Sequence, residues 1–390
     1  MKRELTRLIA SQIFLHACMA GMRMTTPLLA LKLGHNAVAV GGLLSLFALT
    51  QVFIAVPAGR YTDRVGLRRP VALAVVVAAA GAALSALWPV FPVLCLSALA
   101  TGGATGLTVI ALQRHVGRLA SEPAQLKSAF SWLSIGPAVS NFLGPVLAGL
   151  LIDHAGSQPA DLWGFRAAFA LMACLPLLCW AIVRHVHEQA QAAQPPASGA
   201  RSALDLLREP LMRRLLMVNW LLSSCWDVHT FVVPILGHER DFSASVIGTI
   251  LGAFAVAAAV IRMCLPWIGR HWHEHQIIAF AMLATGLLFG LYPFMPGPWT
   301  MGVCSVFLGL VLGSVQPMIM STLHQITPAH RQGEALGLRL LSINASSVLM
   351  PSLFGAVGAV AGVSPVFWVV GLGVGLGSRA GWWLRPHRRH

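Results

Sequence analysis

Long runs without any charged side chain dominate this sequence. The three longest are Pro70–Gln113, His275–His330 and Leu340–Ser378, which hold 44, 56 and 39 residues without Asp, Glu, Lys or Arg. A helix that crosses a bilayer needs about 20 predominantly apolar residues, so each run is long enough for two crossings. Prolines or glycines inside each run mark the turn between the two. The sequence therefore predicts hairpins of membrane-spanning helices.

Shorter apolar segments bring the predicted number of spans to twelve. Four uncharged runs hold one span each: Leu33–Gly59, Ser128–Ile152, Ala167–Val183 and Phe242–Ile261. Residues 8–31 and 215–236 add two more, each interrupted by one charge, Arg23 and Asp227. Irregular backbone is costly in lipid, and barrel strands would be ~10 alternating residues long. We therefore predict an all-α membrane protein of twelve transmembrane helices.

The charge content excludes a water-soluble globular protein and sets the orientation of the spans. Only 10% of the residues are charged, against about a quarter in soluble domains. Of the 27 Lys and Arg, 22 fall on the termini and on the loops that share their side of the membrane. Because basic residues favour the cytoplasmic side, both termini of this multi-pass membrane protein are expected inside. We expect membrane lipids as partners and a monomeric protein.

The +14 net charge has a weaker second explanation, which is nucleic-acid binding. Such proteins concentrate their basic residues on one face or along one helix. Here the basic residues are scattered over seven short segments. No nucleic-acid partner is therefore expected.

A polar linker divides the chain into two similar halves. Residues 187–210 are rich in Ala, Gln, Pro and Ser, as flexible linkers are. They separate six predicted spans in residues 1–186 from six in residues 211–390. An offset of 207 positions pairs Cys with Cys and Pro with Pro across the halves: Cys18 with Cys225, and Pro27 with Pro234. Duplicated six-helix bundles that meet at a midplane site are typical of secondary transporters.

The loop after the second predicted span carries a recognisable motif. Residues 59–69 read GRYTDRVGLRR, which resembles the loop signature of the major facilitator superfamily (MFS) of transporters. The matching residues are Gly59, Asp63, Arg64, Gly66 and Arg68. The resemblance implies that Asp63 stabilises a helix N-terminus on the cytoplasmic side and so holds the outward-open state. It also implies that Arg64 and Arg68 hold the loop and anionic lipid of the inner leaflet.

The fifth predicted span carries a second motif, between Ser140 and Gly149. Its residues Gly144, Pro145 and Gly149 resemble the Gly-Pro signature of the superfamily's antiporters. Glycines that serve helix packing would leave a similar pattern. The resemblance is to bacterial drug and metabolite efflux members, which implies a protein of the bacterial cytoplasmic (inner) membrane. It implies two six-helix bundles that move a small molecule by alternating access, and it implies no enzymatic activity.

Asp227 is the only acidic residue inside any predicted span. A carboxylate in a low-dielectric environment prefers to be neutral or paired, and charges within a membrane usually serve a function. Arg23 lies at a similar depth in the first span, the counterpart of the seventh. We predict that Asp227 binds the coupling proton and that Arg23 is its partner or an anion-binding group. The alternative is a static buried ion pair that fixes helix register.

Other polar residues within the spans are candidates for substrate contact. They are Asn141, Trp226, His229, Gln316 and Asn344. Each could equally be a polar contact between helices, worth about 0.6 kcal/mol on average. No catalytic constellation, Walker loop or metal-ligand spacing occurs, so no enzyme, cofactor or metal site is expected.

The sequence therefore predicts a secondary transporter driven by the proton gradient. The expected activity is proton-coupled export of a hydrophobic, drug-like compound or a metabolite. Two alternatives remain open at this point. One is proton-coupled transport of an organic anion bound at Arg23, and the other is a membrane receptor or scaffold that transports nothing.

Overall fold

Long α-helices account for nearly all of the described chain. The computed structural model describes residues 2–119, 132–133, 135–158, 160–188, 203–268, 272–327 and 332–384. Six long helices precede residue 188: α1 Lys2–Lys32, α2 Ala37–Val65, α3 Arg68–Leu87, α4 Phe91–Leu119, α5 Ile135–His154 and α6 Leu162–Val183. Six follow residue 209: α7 Pro210–Glu239, α8 Ala244–Ile268, α9 Glu274–Leu291, α10 Pro298–Ile326, α11 Gln332–Ala361 and α12 Ser364–Trp382. The predicted all-α fold class is confirmed.

Ten of these twelve helices are long and apolar enough to cross a membrane, within the part of the chain that is described. The two that fall short are α7 and α12. In α7 the polar residues Asn219, Asp227 and His229 interrupt the apolar segment. In α12 five glycines replace larger apolar side chains. The ten apolar helices make this a multi-pass integral membrane protein.

Side chains in the polar turns determine where several helices begin and end. The Asn36 side chain accepts a hydrogen bond from the Ala39 amide at the start of α2, at 3.1 Å. At the start of α6 the Asp161 carboxylate accepts from the Gly164 amide at 2.7 Å. Backbone amides, that of Gly164 above all, lower the pKa of Asp161. Helix α2 ends at Gly66, whose φ of 84° requires a glycine.

The chain forms two compact units. The first comprises Met1–Gln194 and Val233–Ala255, and the second comprises Pro195–Val232 and Val256–His390. In the first unit α1 packs against α5 and α6, and α3 packs against α4 and α6. In the second unit α9 packs against α10 and α12. The boundary predicted at residues 187–210 stays a prediction, since residues 189–202 lie outside the described part.

Residues 233–255, the end of α7 and the start of α8, belong to the first unit. This helical hairpin comes from the second predicted half of the chain but packs with helices of the first. Its contact with α5 is described below with the Gly-Pro motif.

The internal repeat seen in the sequence coincides with equivalent helices. Pro27 lies inside α1 and Pro234 inside α7, the first helix of each set of six. Pro145 lies inside α5 and Pro351 inside α11, the fifth of each set. A proline inside a helix removes a backbone hydrogen bond, so the repeat places this interruption in matching helices.

Candidate functional site

Asp227 is held between two helices by hydroxyl groups. It lies in the apolar middle of α7 and is 3% exposed. From α11, Ser346 Oγ donates to Asp227 Oδ2 at 3.1 Å and Ser347 Oγ donates to Oδ1 at 3.2 Å. Thr230 Oγ1 donates to the backbone carbonyl of Asp227 at 3.2 Å. The carboxylate therefore bridges α7 and α11 within the second unit.

This arrangement can tolerate both protonation states of the carboxyl group. An ionised carboxylate only accepts hydrogen bonds, whereas the protonated acid also donates one. A serine hydroxyl both donates and accepts and can rotate, so Ser346 and Ser347 can pair with either form. The carboxyl group can then bind or release a proton while it and both serines stay hydrogen-bonded. An unsatisfied buried polar group would be costly. The two adjacent serines in an uncharged run were the only sequence signal for this contact.

The first unit contains a second polar cluster, between α1 and α5. His16 lies close enough to Asn141 and to Arg23 to interact electrostatically with both. Arg23 follows His16 by two helical turns, so both lie on the same side of α1. Asn141, predicted to contact substrate, thus lies near His16. The predicted meeting of Arg23 with Asp227 stays a prediction, because the two residues belong to different units.

The remaining candidate pocket residues lie in the second unit. His229 is fully buried, and its Nε2 lies 2.9 Å from Ser305 Oγ. The same hydroxyl lies 2.8 Å from the Tyr292 hydroxyl oxygen, and the His229 and Tyr292 rings meet edge to face at 6.0 Å. Trp226, Gln316 and Asn344 are half-buried in α7, α10 and α11. Their contact with substrate stays a prediction.

The loop motif is tied to the chain that follows α6. Arg68 opens α3, and its side chain donates to the Val186 carbonyl from Nε at 3.1 Å and from Nη2 at 2.8 Å. Its backbone amide donates to Glu188 Oε1 at 2.7 Å, which places a carboxylate at the N-terminus of α3, where the helix dipole stabilises it. Sequence reasoning predicted that Arg68 holds the loop but missed Glu188.

The other residues of the loop motif lie at the end of α2 or just after it. Gly59 and Arg64 lie within the last two turns of α2, and Arg64 is exposed. Gly66 follows the helix with the positive φ noted above. Asp63 lies in the last turn of α2, and its side chain is outside the described part of the structure. The predicted role of Asp63 as a gate therefore stays a prediction.

The small residues of the Gly-Pro motif allow α5 to approach two other helices. A Cβ on Gly144 would lie 2.6 Å from the Ala17 carbonyl oxygen in α1. One turn later, a Cβ on Gly149 would collide with the Ala244 carbonyl at the start of α8. Reciprocally, a Cβ on Gly248 of α8 would collide with the Pro145 carbonyl. The motif residues thus permit backbone-to-backbone packing, as small residues do at membrane helix interfaces.

Asp153, which directly follows the uncharged run Ser128–Ile152, caps the start of α8. Its Oδ1 accepts from the Ala244 amide at 3.1 Å, and its Oδ2 accepts from the Ser245 amide at 2.6 Å. A carboxylate at a helix N-terminus satisfies free amides and interacts favourably with the helix dipole. The partners are 91 and 92 residues apart in the chain, so no local pattern could have indicated this contact.

The fold and the buried carboxylate together define a helical membrane transporter. The sequence profile described as "Major Facilitator Superfamily" matches residues 8–338. The chain belongs to the major facilitator superfamily, as the loop motif predicted. It is therefore a transporter and not an enzyme.

Relatives and solved structures agree with this membership. The chain is 27% identical over 339 residues to the tetracycline resistance protein, class G, of Vibrio anguillarum, covering 85% of this chain and 84% of that protein. It is 26% identical over 267 residues to the multidrug resistance protein MdtG of Serratia proteamaculans, covering 67% and 63%. A bacterial homologue of the human lysosomal transporter Spinster has the same fold, with a TM-score of 0.79 over 96% of both chains and 11% identity.

Proposed function

We propose that this protein exports a hydrophobic, drug-like compound or a metabolite from the bacterial cytoplasm in exchange for protons. The proton gradient is the energy source, and no cofactor takes part. The observation that carries the proposal is the buried Asp227 carboxylate, held by Ser346 and Ser347 hydroxyls on a neighbouring helix. The resistance functions named for the relatives support export as the direction.

Proton binding at Asp227 supplies the coupling. Ionised, the carboxylate is costly to bury and favours conformations that give it water or hydrogen-bond donors. Protonated, it is neutral and tolerates an apolar surrounding. The proton thus binds the two conformations with different affinity, which is the condition for driving a conformational change.

The test of this proposal is flux through the purified protein in proteoliposomes. Tetracycline and ethidium serve as probes, under an imposed pH gradient and, separately, at equal pH on both sides. We expect Asp227→Asn to abolish accumulation driven by the pH gradient, because a neutral amide cannot exchange a proton. Exchange of probe at equal pH should continue, since it needs no net proton movement.

Asp241→Asn is the matched control for this experiment. Asp241 is exposed on the turn between α7 and α8 and has a φ of 57°, a conformation that Asn also tolerates. The Asp241→Asn substitution makes the same chemical change outside the apolar part of the helix. We expect it to leave both gradient-driven accumulation and exchange at equal pH unchanged. Undiminished gradient-driven accumulation in Asp227→Asn would reject proton coupling at this residue.

Transport of an organic anion at Arg23 is the alternative that a specific observation favours. Arg23, His16 and Asn141 form the polar cluster of the first unit. If an anion binds there, Arg23→Gln will abolish transport of p-aminohippurate, an anionic probe, while Arg23→Lys retains part of it. Equal effects of Arg23→Gln on p-aminohippurate and on the cation ethidium would contradict an anion site.

A further inference from the structure

Two buried polar residues precede Asp227 along the same side of α7. Asn219 and Ser223 lie eight and four residues before Asp227, so the three follow one another at one-turn intervals. Asn219 is 0% exposed and Ser223 is 7% exposed. They lie between Asp227 and the Pro210 end of α7, which the charge distribution predicts to face the cytoplasm.

Neither of these two side chains has a hydrogen-bond partner among the residues that the structure describes. The unpartnered atoms are the amide oxygen and nitrogen of Asn219 and the hydroxyl oxygen of Ser223. Buried polar groups in proteins are paired with other groups or with ordered water in the great majority of cases. Three unpaired atoms within one helical turn therefore indicate a hydrogen-bonding molecule that lies between them.

Another buried serine of α7 is paired within its own helix. Ser224, also buried, donates to the Leu221 carbonyl of its own helix at 2.6 Å. Ser342 of α11 donates to the Leu216 carbonyl at 3.4 Å, so α11 borders α7 on the Pro210 side of Asn219. The line of unpaired atoms thus runs beside α11, the helix that supplies the serine partners of Asp227.

We propose that Asn219 and Ser223 bind a short chain of internal water molecules that carries protons between Asp227 and the cytoplasmic end of α7. Water suits the site because Asn219 offers both a donor and an acceptor and Ser223 can act as either. Each water molecule accepts one proton and passes on another. One proton thus leaves the Asp227 carboxyl group and one reaches the aqueous phase, with no redox change.

This inference rests on the proposed function, since it concerns the same carboxyl group. Asn219 does not itself gain or lose a proton, so it is a positioning residue. The described titratable and charged groups nearest the line in sequence include Cys225 and His229 of α7, of which Cys225 interacts electrostatically with Asp227. Arg339 lies on α11, the helix that borders this part of α7. Arg339 is 8% exposed and lies three residues before Ser342.

The experiment measures how fast Asp227 gains and loses its proton, without any substrate. The purified full-length protein is subjected to a pH jump, and time-resolved infrared spectroscopy follows the carbonyl band of the protonated carboxylic acid. The band that is missing in Asp227→Asn belongs to Asp227. Asn219→Leu keeps the branched shape of the side chain but removes its amide. We expect it to lower the rate at which the Asp227 band changes after the jump about tenfold, which corresponds to the loss of one hydrogen bond.

Three further variants make the result specific. Ser223→Ala should also lower the rate at which the Asp227 band changes. Asn219→Gln keeps the amide, so its rate should lie much closer to that of the parent protein than the rate of Asn219→Leu does. Ser224→Ala is the matched control, since its hydroxyl is already bonded to the helix, and should behave as the parent. The pH midpoint of the band should stay the same in all of them, because the waters provide a path and not a charge.

The possible outcomes separate this inference from the proposed function. An Asp227 band with an unchanged rate in both Asn219→Leu and Ser223→Ala overturns the water chain and leaves proton coupling intact. A shifted midpoint with an unchanged rate also overturns it, because that shows an electrostatic role. If the parent protein has no band that Asp227→Asn removes, the proposed function fails and this inference fails with it.

Discussion

At the level of single residues, the partners of Asp227 decide what the site can do. Its described hydrogen bonds come from hydroxyl groups of Ser346 and Ser347. Hydrogen bonds to an ionised carboxylate are stronger than bonds between neutral groups, so both serines stabilise mainly the ionised form. The energy of the contact between α7 and α11 therefore depends on the protonation of one side chain.

A double-mutant cycle can measure this dependence. We expect Ser346→Ala/Ser347→Ala to destabilise the protein by about 1.5–3 kcal/mol per lost bond to the charged group. The same double replacement in an Asp227→Asn background should cost clearly less, since the charge is gone. Thermal unfolding of the four proteins in detergent at neutral pH gives the coupling free energy. Strictly additive effects would mean that the serines do not respond to the charge.

Some residues of the site could be predicted from the sequence and others could not. Asp227 could be predicted because it is an acidic residue isolated in an apolar segment. Ser346 and Ser347 could not, because they are 119 and 120 residues away in the chain and serine is common in membrane helices. His229 was predicted to contact substrate on its polarity alone, and burial against Tyr292 became visible only with the tertiary structure.

At the level of helices, the contact between α5 and α8 is the most closely packed feature of the Gly-Pro motif. The motif's glycines remove side chains from the contact, and Asp153 then reaches the first amides of α8. A contact of this kind combines close packing with a charge at a helix terminus. The sequence predicted the helices and the small residues but not the Asp153 contact.

Removal of the Asp153 carboxylate should loosen the start of α8. We expect Asp153→Ala to speed hydrogen exchange at the Ala244 and Ser245 amides about threefold or more, given ~0.7 kcal/mol for a carboxylate at a helix N-terminus. Exchange measured by mass spectrometry on peptides from 233–255 reports this directly. The Ala39 amide, bonded to Asn36 in α2, serves as the internal control. Unchanged exchange at Ala244 and Ser245 would show that the packing alone fixes the start of α8.

Helix positions were predictable because the signal is the absence of charge, which needs no knowledge of neighbours. The uncharged runs predicted ten spans and two segments with a single charge predicted two more, and twelve long helices lie within the described residues. Helix ends were less predictable, because they depend on side chains such as Asp161 that cap the next helix from a turn. Helix α7 shows the limit of hydropathy, since its polar residues make it less apolar than the ten helices that qualify as spans.

At the level of the whole molecule, class and chemistry were predictable to different degrees. The loop motif predicted the superfamily, and the profile match over residues 8–338 confirms it. Substrate and coupling were not predictable in the same way, since members of one fold transport many compounds and the site decides which. Proton exchange at Asp227 is thus the central claim of the proposed function.

The most direct test of that claim is to measure whether a tetracycline gradient drives proton movement across the membrane. Proteoliposomes that contain the protein and a trapped pH-sensitive dye receive a tetracycline gradient at equal starting pH. We predict proton movement opposite to the tetracycline flux in the parent protein and none in Asp227→Asn, with Asp241→Asn matching the parent. Tetracycline flux without proton movement in the parent protein, or proton movement retained in Asp227→Asn, would contradict the account.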